Sequence, residues 1–372
     1  MVCRMFTQRP RVAEQDVRDA LAGVRDPDLG MPLTELGMVR GVGVGRRRVQ
    51  VEIALAVHDT PHREQLRAAV VDAVQGLGVA DVHVDFLYLG EEERRRLRER
   101  LQGRQGRTPA EVFARTRVLA ISSGKGGVGK SSVSTNLAIE LAGRGKRVAL
   151  IDADVYGFSI PRMIGIDRRP AVVDSLVIPP RAHGVSVISV AFFATDEQTP
   201  VIWRGPMLHK ALEQFVADVH WGDVEFLVID MPPGTGDVAL TIAQLLPNCE
   251  VVVVTTPQAA ARKVAQRAAF MARKVDLTVT GVIENMSWFT GDDGVRYELF
   301  GSGGGALLAE QLGVPLLGRI PLIPALREGG DEGRPIVVAD PSSEASLAIR
   351  AIADRIVALR PRRIPLPLLN VQ

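Results

Sequence analysis

The segment from residue 122 to residue 132 reads SSGKGGVGKSS, and it constrains the fold more than any other stretch of the chain. Gly124 and Gly129, followed by Lys130 and Ser131, fit the phosphate-loop pattern of two glycines separated by four residues and followed by Lys and Ser. The apolar run before this segment predicts a strand, and apolar residues at helical spacing after it predict a helix. Such a loop directs backbone N–H groups and the positive end of a helix dipole at an anion. We therefore expect a phosphate-binding loop in an α/β fold.

The loop supplies most of the predicted nucleotide ligands. Lys130 is predicted to reach the outer phosphates, and the Ser131 hydroxyl is predicted to ligate magnesium. Asp230 ends the apolar run VEFLVID, and a carboxylate at the carboxyl end of a strand is placed to hold the same ion. The residues predicted to bind ATP in the loop are Gly124, Lys125, Gly126, Gly127, Val128, Gly129, Lys130, Ser131 and Ser132.

Two further segments follow predicted strands. The sequence MPPGTGD at 231–237 is too rich in Pro and Gly for a helix or a strand, so Pro233, Gly234 and Asp237 are predicted to form a loop that senses the γ-phosphate. Asp152 and Asp154 come at the end of the run RVALID. Asp154 is the candidate for orienting or activating the attacking water, and the alternative of two solvated turn acids stays open.

The alternation of apolar runs and helical segments predicts how the chain is organised. Strands at EVVVVTT, TVTGVIE and VPLLGRIP, separated by helices, indicate an α/β class with a doubly wound, mostly parallel sheet, that is, a P-loop NTPase domain. A small α/β domain is predicted before it. The predicted pieces are a small domain at 11–90, a charged helical linker at 91–115, the ATPase domain at 116–360 and a Pro-rich tail at 361–372.

Composition narrows the class of protein. The chain has 372 residues, which favours two domains, and 46% of them are hydrophobic, which is enough for a substantial core. The formal net charge of +2 gives no argument for nucleic acid or for an acidic membrane surface, so neither is expected as a partner. No uninterrupted apolar span of about 18 residues and no signal-peptide pattern at the start were found, so we expect a cytoplasmic protein.

Five ordered blocks carry a resemblance to a known family. GKGGVGKSSVSTNLAIELA, LIDADVYGFSIPRMIG, VIWRGPMLHKAL, FLVIDMPPGTGD and GVIENMSWF together resemble the Mrp/ApbC family of iron–sulfur cluster carrier ATPases, within the MinD-like group that has a deviant phosphate loop. The small domain resembles the PaaD-like domain that often precedes these ATPases. The resemblance covers most of the chain, and it implies ATP and Mg²⁺ as cofactors and a role in cluster assembly or transfer to apoproteins.

The resemblance also assigns roles to single residues. In that group the lysine after the first glycine, here Lys125, crosses a dimer interface to the nucleotide of the partner subunit, which implies a homodimer. A cation supplied in this way offsets charge that develops on the transferred phosphoryl group. Asn285, in the segment ENMS, resembles the residue that recognises adenine, and its amide offers one acceptor and two donors to that base.

The chain departs from the family at the cluster ligands. Mrp-type carriers commonly hold a bridging cluster through a Cys-x-x-Cys pair soon after NMS, whereas this chain has WFTGDDGVR there, which predicts a hairpin turn at Asp293 and Gly294. Cys3 and Cys249 are too far apart for ligand spacing, so no iron–sulfur ligand is predicted. In the small domain, the family cysteine is missing as well. Thr60 stands about where it belongs, between His58 and His62, a pair that could hold a metal but is more typical of a polar surface.

Three functions therefore stay open. The first is an Mrp-type ATPase that acts in iron–sulfur cluster assembly or transfer, with the cluster held by other ligands or by a partner such as a cluster-assembly protein. The second is a metal-free nucleotide switch that acts on a protein partner. The third is a MinD- or ParA-like positioning ATPase, which the proline-broken tail and the absence of a strongly basic face disfavour.

Overall fold

The structure is a computed structural model that describes residues 12–45, 48–57, 60, 62–102, 109–155, 157–193, 205–234 and 237–359. The chain divides into two compact units. The first unit comprises Met1–Gly103 together with Ala171–Ile178, and the second comprises Arg104–Pro170 together with Pro179–Gln372. His58 and the tail at 361–372 lie outside the described residues, and so does Cys3.

The helices in chain order are α1 (Glu14–Leu21), α2 (Leu33–Leu36), α3 (Arg63–Gln75), α4 (Glu91–Gln102), α5 (Pro109–Val112), α6 (Lys130–Gly143), α7 (Ile160–Ile164), α8 (Gly205–Ala217), α9 (Asp237–Leu245), α10 (Ala259–Lys274), α11 (Gly304–Leu312), α12 (Pro324–Asp331), α13 (Ile336–Ala339) and α14 (Glu344–Ala358). The strands are β1 (Val39–Val44), β2 (Arg48–Leu55), β3 (Asp81–Tyr88), β4 (Arg117–Ser123), β5 (Val148–Asp152), β6 (Ala171–Val173), β7 (Leu176–Ile178), β8 (Arg181–Ala182), β9 (Val185–Ser189), β10 (Phe226–Asp230), β11 (Glu250–Thr255), β12 (Thr278–Glu284), β13 (Phe289–Thr290), β14 (Arg296–Tyr297) and β15 (Leu316–Arg319). A 3₁₀ helix covers Val190–Phe193. Within the described residues, no helix has both the length and the apolar character that a membrane span requires.

The first unit is a small α/β fold, as the sequence predicts. Its sheet has the order β1-β2-β3, with β1 antiparallel and β3 parallel to β2. Strand β2 alternates exposed and buried residues at its start, and α3 buries Leu66, Val70 and Val74 at helical spacing. These three side chains face the same hydrophobic cluster as β2, so one face of the helix covers the sheet.

The boundaries of the first unit differ from the predicted ones at two places. Helix α4 was expected in a solvated linker, yet Leu97 and Leu101 are buried in the hydrophobic cluster of the first unit. The second difference is the β6–β7 hairpin, which the sequence places inside the ATPase segment and which also packs into this cluster. Periodicity showed that α4 is a helix, but it could not show which unit the apolar side of that helix would contact.

The second unit confirms the prediction of an α/β fold with a mostly parallel sheet. Its sheet has the order β15-β12-β11-β4-β10-β5-β9-β8 within the described residues, and only the β8–β9 pair is antiparallel. The three predicted strands EVVVVTT, TVTGVIE and VPLLGRIP correspond to β11, β12 and β15. Strands β4, β5 and β10 are fully or almost fully buried, and α6 and α14 share their hydrophobic cluster.

The strand order decides which segments meet. Strand β4 lies between β10 and β11, and β10 lies between β4 and β5. The segments that follow β4, β5 and β10 therefore leave the sheet side by side at its carboxyl edge, where α/β sheets bind ligands. In register, Asp230 of β10 pairs with Ile121 of β4 on one side and with Asp152 of β5 on the other.

A buried carboxylate lies in the turn after α1 in the first unit. Asp26 is almost fully buried, and its Oδ1 accepts hydrogen bonds from the backbone N–H groups of Leu29 at 2.7 Å and Asp28 at 3.0 Å. Burial is the main reason why the pKa of Asp26 rises to about 6. Because this pKa lies above that of the unfolded chain, the stability that protonation contributes is complete below about pH 4 and is lost as the pH rises through about 6.

We therefore expect Asp26→Asn to stabilise the first unit above pH 7 by about 1–3 kcal/mol, because the amide oxygen still accepts both bonds and carries no charge. Near pH 4 the variant and the parent protein should be equally stable. Urea unfolding, with pulsed hydrogen exchange and mass spectrometry of first-unit peptides at both pH values, measures the difference. Asp72→Asn, at an exposed position on α3, is the control, and an Asp26→Asn effect that is the same at both pH values would contradict the expectation.

Candidate functional site

The glycine-rich loop between β4 and α6 is shaped by close approaches. Gly127 and Gly129 have φ angles of +78° and +80°, which residues with side chains rarely adopt. A Cβ on Gly124 would lie 2.2 Å from the backbone nitrogen of Ala265 in α10, and one on Gly129 would lie 2.2 Å from Asn285 Nδ2. Three of the predicted glycines are thus required by the backbone or its neighbours, and the loop presents its main chain rather than side chains.

Lys130, Ser131 and Asp230 converge beneath this loop. The Lys130 ammonium donates to Asp230 Oδ2 at 2.7 Å, and the Ser131 hydroxyl donates to the same oxygen at 2.6 Å. Asp230 is fully buried, and Lys130 is almost fully buried. A charged pair this deep is retained only when its hydrogen bonds are satisfied. The structure therefore brings together the lysine, the hydroxyl and the carboxylate that the sequence predicts for phosphate and magnesium.

Ser134 is a member of this cluster that sequence reasoning missed. Its hydroxyl donates to Asp230 Oδ1 at 2.6 Å, so it occupies the second oxygen of that carboxylate. Ser134 lies one helical turn after Ser131, and residues three apart on a helix share a face. That spacing was the available signal.

Asp152 at the end of β5 and Asp154 just beyond it are both buried. Asp154 lies 3.6 Å from the Lys130 ammonium, and its Oδ1 accepts a hydrogen bond from the Gly157 N–H at 3.1 Å. Asp152 is fully buried, and it accepts bonds from the Asp154 N–H at 3.2 Å and the Ser189 hydroxyl at 2.8 Å. Burial, and then the nearby Asp230 carboxylate, raise the pKa of Asp152 above the ordinary range. The alternative of two solvated turn acids is wrong, because both side chains face the interior.

Lys125 points to a different neighbour from Lys130. Its ammonium donates to Gln258 Oε1 at 3.2 Å, next to the first residue of α10, and the side chain is half-buried. Lys125, the first lysine of the loop, is thus held beside α10, while Lys130 contacts Asp230 and Asp154. Gln258 carried no motif in the sequence, so only the fold identifies this partner.

The segment after β10 runs beside the glycine-rich loop. The Gly234 N–H donates to the Ser123 carbonyl at 2.9 Å, and the φ of Gly234 is +101°. A Cβ on Gly126 would lie 4.0 Å from Pro233 Cγ, so the two loops are neighbours. Asp237 begins α9, and its side chain lies outside the described atoms.

Asn285 closes the other side of the loop. Its Nδ2 donates to the Val128 carbonyl at 2.9 Å, and this bond assigns the orientation of the amide. Its Oδ1 is buried and accepts no hydrogen bond from the described residues, and the same holds for Thr256 Oγ1. An unsatisfied buried acceptor is costly, and the Asn285 oxygen could be satisfied by a ligand that carries an N–H or O–H donor.

Thiolate ligands are scarce in the described part of the chain. Cys249 is buried immediately before β11, and burial raises the pKa of its thiol to about 12. The predicted hairpin is confirmed, since β13 pairs with β14 and the Asp293 carboxylate accepts the Val295 N–H at 3.0 Å. No group of three or more His, Cys, Asp or Glu side chains with metal-binding geometry was found among the described residues.

Of the two histidines that flank Thr60 in the first unit, only His62 lies among the described residues. His58 lies outside the described residues, and His62 Nε2 lies 3.8 Å from Asp28 Oδ1. The Thr60 hydroxyl donates to Asp28 Oδ2 at 2.6 Å. Thr60, which stands about where the family cysteine is expected, thus hydrogen-bonds to a carboxylate 32 residues earlier in the chain.

Two family models match the chain. One, described as a NUBPL iron-transfer P-loop NTPase, matches residues 114–357. The other, described as an iron–sulfur cluster assembly protein, matches residues 14–86. The two matches follow the order of the small domain and the ATPase domain along the chain.

Curated relatives match over most of their length. The iron–sulfur cluster carrier protein of Mycobacterium bovis is 49% identical over 350 residues, which cover 91% of each chain. The protein of the same name from Bacillus subtilis is 45% identical and covers 84% of this chain and 88% of its own. A solved nucleotide-binding protein from Archaeoglobus fulgidus, in complex with ADP, is 33% identical over 64% of this chain and 95% of its own, with a TM-score of 0.54.

The close approaches around the glycine-rich loop at 124–132, called the cradle below, can be tested with substitutions at three glycines. Gly129→Ala places a Cβ against Asn285 Nδ2 and forces an alanine to positive φ, so we expect ADP affinity to fall at least about tenfold. Gly127→Ala has the same φ cost but meets no neighbour within 4 Å, so its loss should be smaller. Gly143→Ala, at the end of α6 with open space and ordinary φ, is the control. Calorimetric titration measures all three, and equal affinities for the Gly129 and Gly143 variants would contradict the cradle.

Proposed function

Since this chain belongs to the family of NUBPL-type iron-transfer P-loop NTPases and iron–sulfur cluster carrier proteins, we propose that it binds and hydrolyses ATP to drive cluster assembly or transfer to apoproteins. The observation that carries the proposal is the convergence of Lys130 and Ser131 on the buried Asp230 beneath the glycine-rich loop. This is the residue set that phosphoryl transfer in P-loop enzymes requires.

The residues present fit the nucleotide and its metal. The loop 124–132 offers backbone N–H groups to the phosphates, and Lys130 offers a cation to the outer ones. Asn285 presents a buried acceptor oxygen, which suits the amino group of adenine and would repel the carbonyl oxygen that guanine carries there. Ser131 and Asp230 offer the hard oxygen ligands that Mg²⁺ prefers. When bound, Mg²⁺ would neutralise charge on the phosphates during transfer.

Hydrolysis then needs an oriented water and a second cation. The buried Asp154 carboxylate lies 3.6 Å from the Lys130 ammonium. We assign Asp154 to orient the attacking water and accept its proton. ATP and water become ADP and phosphate.

Because Lys125 is held by Gln258 and not by the acids of its own site, it is available to serve the nucleotide of a second subunit in a homodimer. The loop at Pro233, Gly234 and Asp237 would respond to the γ-phosphate.

The cluster is cargo, and this chain offers few ligands for it. Cys249 is buried with a raised pKa, which disfavours the thiolate that ligation needs. The hairpin that follows Asn285 carries Asp292 and Asp293 and no cysteine. The proposal is therefore that the cluster is held with ligands from an apoprotein or an assembly protein. A metal-free nucleotide switch acting on a protein partner remains the second candidate, and the same lack of thiolates favours it.

We expect Lys125→Ala to keep ATP affinity, since the cradle and Lys130 remain, but to lower turnover by on the order of 10³-fold, as loss of a cation supplied in trans does. Asp154→Ala should be inactive for a different reason. If each Asp154 serves its own subunit and each Lys125 the partner, an equimolar mixture of the two variants forms dimers with one complete site. About a quarter of the parent activity should then return, since half of the dimers are mixed and half of their sites are complete. Phosphate release measures this.

Two controls make the mixing experiment decisive. Subunit exchange is verified with differently tagged chains, and activity that does not return despite exchange would contradict action across the interface. Lys130→Ala mixed with Asp154→Ala should stay inactive if Lys130 serves the same site as Asp154. Because Lys130→Ala leaves Asp230 as an unpaired buried charge, which costs about 3–5 kcal/mol, its folding is checked by thermal melting.

For the cargo, we expect anaerobic reconstitution with iron and sulfide, followed by desalting, to leave no four-iron chromophore on the unmodified protein. The matched variant is Thr290→Cys/Asp293→Cys, which has Cys-x-x-Cys spacing. It avoids Gly291, where a Cβ would lie 2.7 Å from Asp293 Oδ1, and Gly294, which has a φ of +75°. Visible absorption and iron counting compare the two. A stable cluster on the unmodified protein that survives Cys249→Ser would contradict the proposed lack of ligands.

A further inference from the structure

The β6–β7 hairpin joins two parts of the molecule that the sequence separates. Along the chain it lies between α7 and β8, which belong to the second unit, yet it belongs to the first unit. Two segments of the second unit, 157–170 and 179–189, connect to the hairpin, and they are called its legs. The hairpin is thus the one place, among the described residues, where the chain leaves the second unit, contributes to the first and returns.

The hairpin is part of the core of the first unit. Val173, Leu176 and Ile178 are buried in the same hydrophobic cluster as Leu97 and Leu101 of α4. Its turn carries Asp174, which accepts a hydrogen bond from Arg98 Nη1 of α4 at 2.8 Å. The neighbouring Val172 points outward and is 58% exposed. The hairpin therefore adds a buried face to the first unit and cannot move without changing how that core is packed.

Both legs of the hairpin are bound to one carboxylate. Asp152 Oδ2 accepts the N–H of Ile160 at 3.4 Å, at the start of α7 in the first leg. The same oxygen accepts the Ser189 hydroxyl at 2.8 Å, at the end of β9 in the second leg. Ser189 in turn accepts the N–H of Ala191. A single buried group therefore ties the chain before the hairpin to the chain after it.

That carboxylate is a neighbour of the proposed phosphate site. Asp152 pairs in register with Asp230, the partner of Lys130 and Ser131, and its Oδ1 accepts the Asp154 N–H at 3.2 Å. A phosphate that attracts Lys130, or a cation on Asp230, changes the electrostatic field at Asp152. A changed field at Asp152 alters the strength of the hydrogen bonds that Asp152 accepts from the two legs.

We propose that the β6–β7 hairpin transmits the nucleotide state of the phosphate loop to the first unit through its two Asp152-bound legs. The inference rests on the proposed ATP site and goes beyond it, because it makes the small cluster-assembly domain the part of the molecule that responds to ATP. It also makes the first unit discontinuous, since its core is completed by a segment that is encoded within the ATPase domain.

Hydrogen exchange with mass spectrometry on the full chain tests this, with and without saturating Mg·ATPγS. We expect peptides at 124–132 to become protected, which reports binding, and peptides of the hairpin and of α4 to change exchange rate by about fivefold, a typical allosteric coupling. Val173→Asp puts a charge into the core of the first unit and should release the hairpin. It should keep nucleotide affinity within about threefold and abolish the response of α4. Val172→Asp, on the outward face of the same strand, is the matched control and should respond like the parent protein.

The outcomes separate the inference from the proposed function. Protection at 124–132 with unchanged exchange in the hairpin and in α4 would overturn the inference and leave the ATP site intact. A response of α4 that persists in Val173→Asp would overturn it as well. Absence of protection at 124–132 would overturn the ATP site and the inference together. If Val173→Asp does not fold, Val173→Ala replaces it, and the expected result is a reduced response of α4 at unchanged nucleotide affinity.

Discussion

The buried carboxylate of Asp230 is the interaction on which the rest of the second unit depends. An ionised carboxylate with no exposure to water is retained only if cations and donors surround it, and here Lys130, Ser131 and Ser134 supply them. All three come from the first turns of α6, so the charge fixes where that helix begins relative to β10. The glycine-rich loop must then span the short distance from β4 to this point, which explains why it bends through glycines with positive φ.

The same carboxylate organises the neighbouring strands. Asp152 lies beside it in register, with a raised pKa, and holds Asp154, α7 and β9 by hydrogen bonds. A change of charge at Asp230 therefore has neighbours through which to act. Because a hydrogen bond in a buried polar network is electrostatically stronger than an exposed one, such a change affects these neighbours more than it would at the surface.

Within its family, the chain combines the residues proposed to bind phosphate and magnesium with few candidate ligands for a cluster. Lys130, Ser131 and Ser134 donate hydrogen bonds to Asp230, and Asp154 lies 3.6 Å from the Lys130 ammonium. The described cysteine, Cys249, is buried immediately before β11, and the hairpin after Asn285 carries acids. The proposed nucleotide site is therefore more fully specified by residues of this chain than the proposed site of cluster binding. This difference is the reason for proposing that a partner supplies cluster ligands.

The sequence by itself determined the phosphate loop, the mostly parallel sheet and most strands, because these are local patterns: glycine spacing, apolar runs and the residues that end them. It also predicted Lys130, Ser131 and Asp230 as a group, since the carboxyl ends of parallel strands lie at one edge. It could not predict that Asp152 would complete the network, that Gln258 would hold Lys125, or that Asn285 would bond to Val128, because these contacts join residues far apart in the chain. Tertiary structure alone decided that Leu97, Leu101 and the β6–β7 hairpin share the core of the first unit. Hydrophobic periodicity shows which face of an element will be buried, but the surface that covers it is chosen only when the whole chain packs.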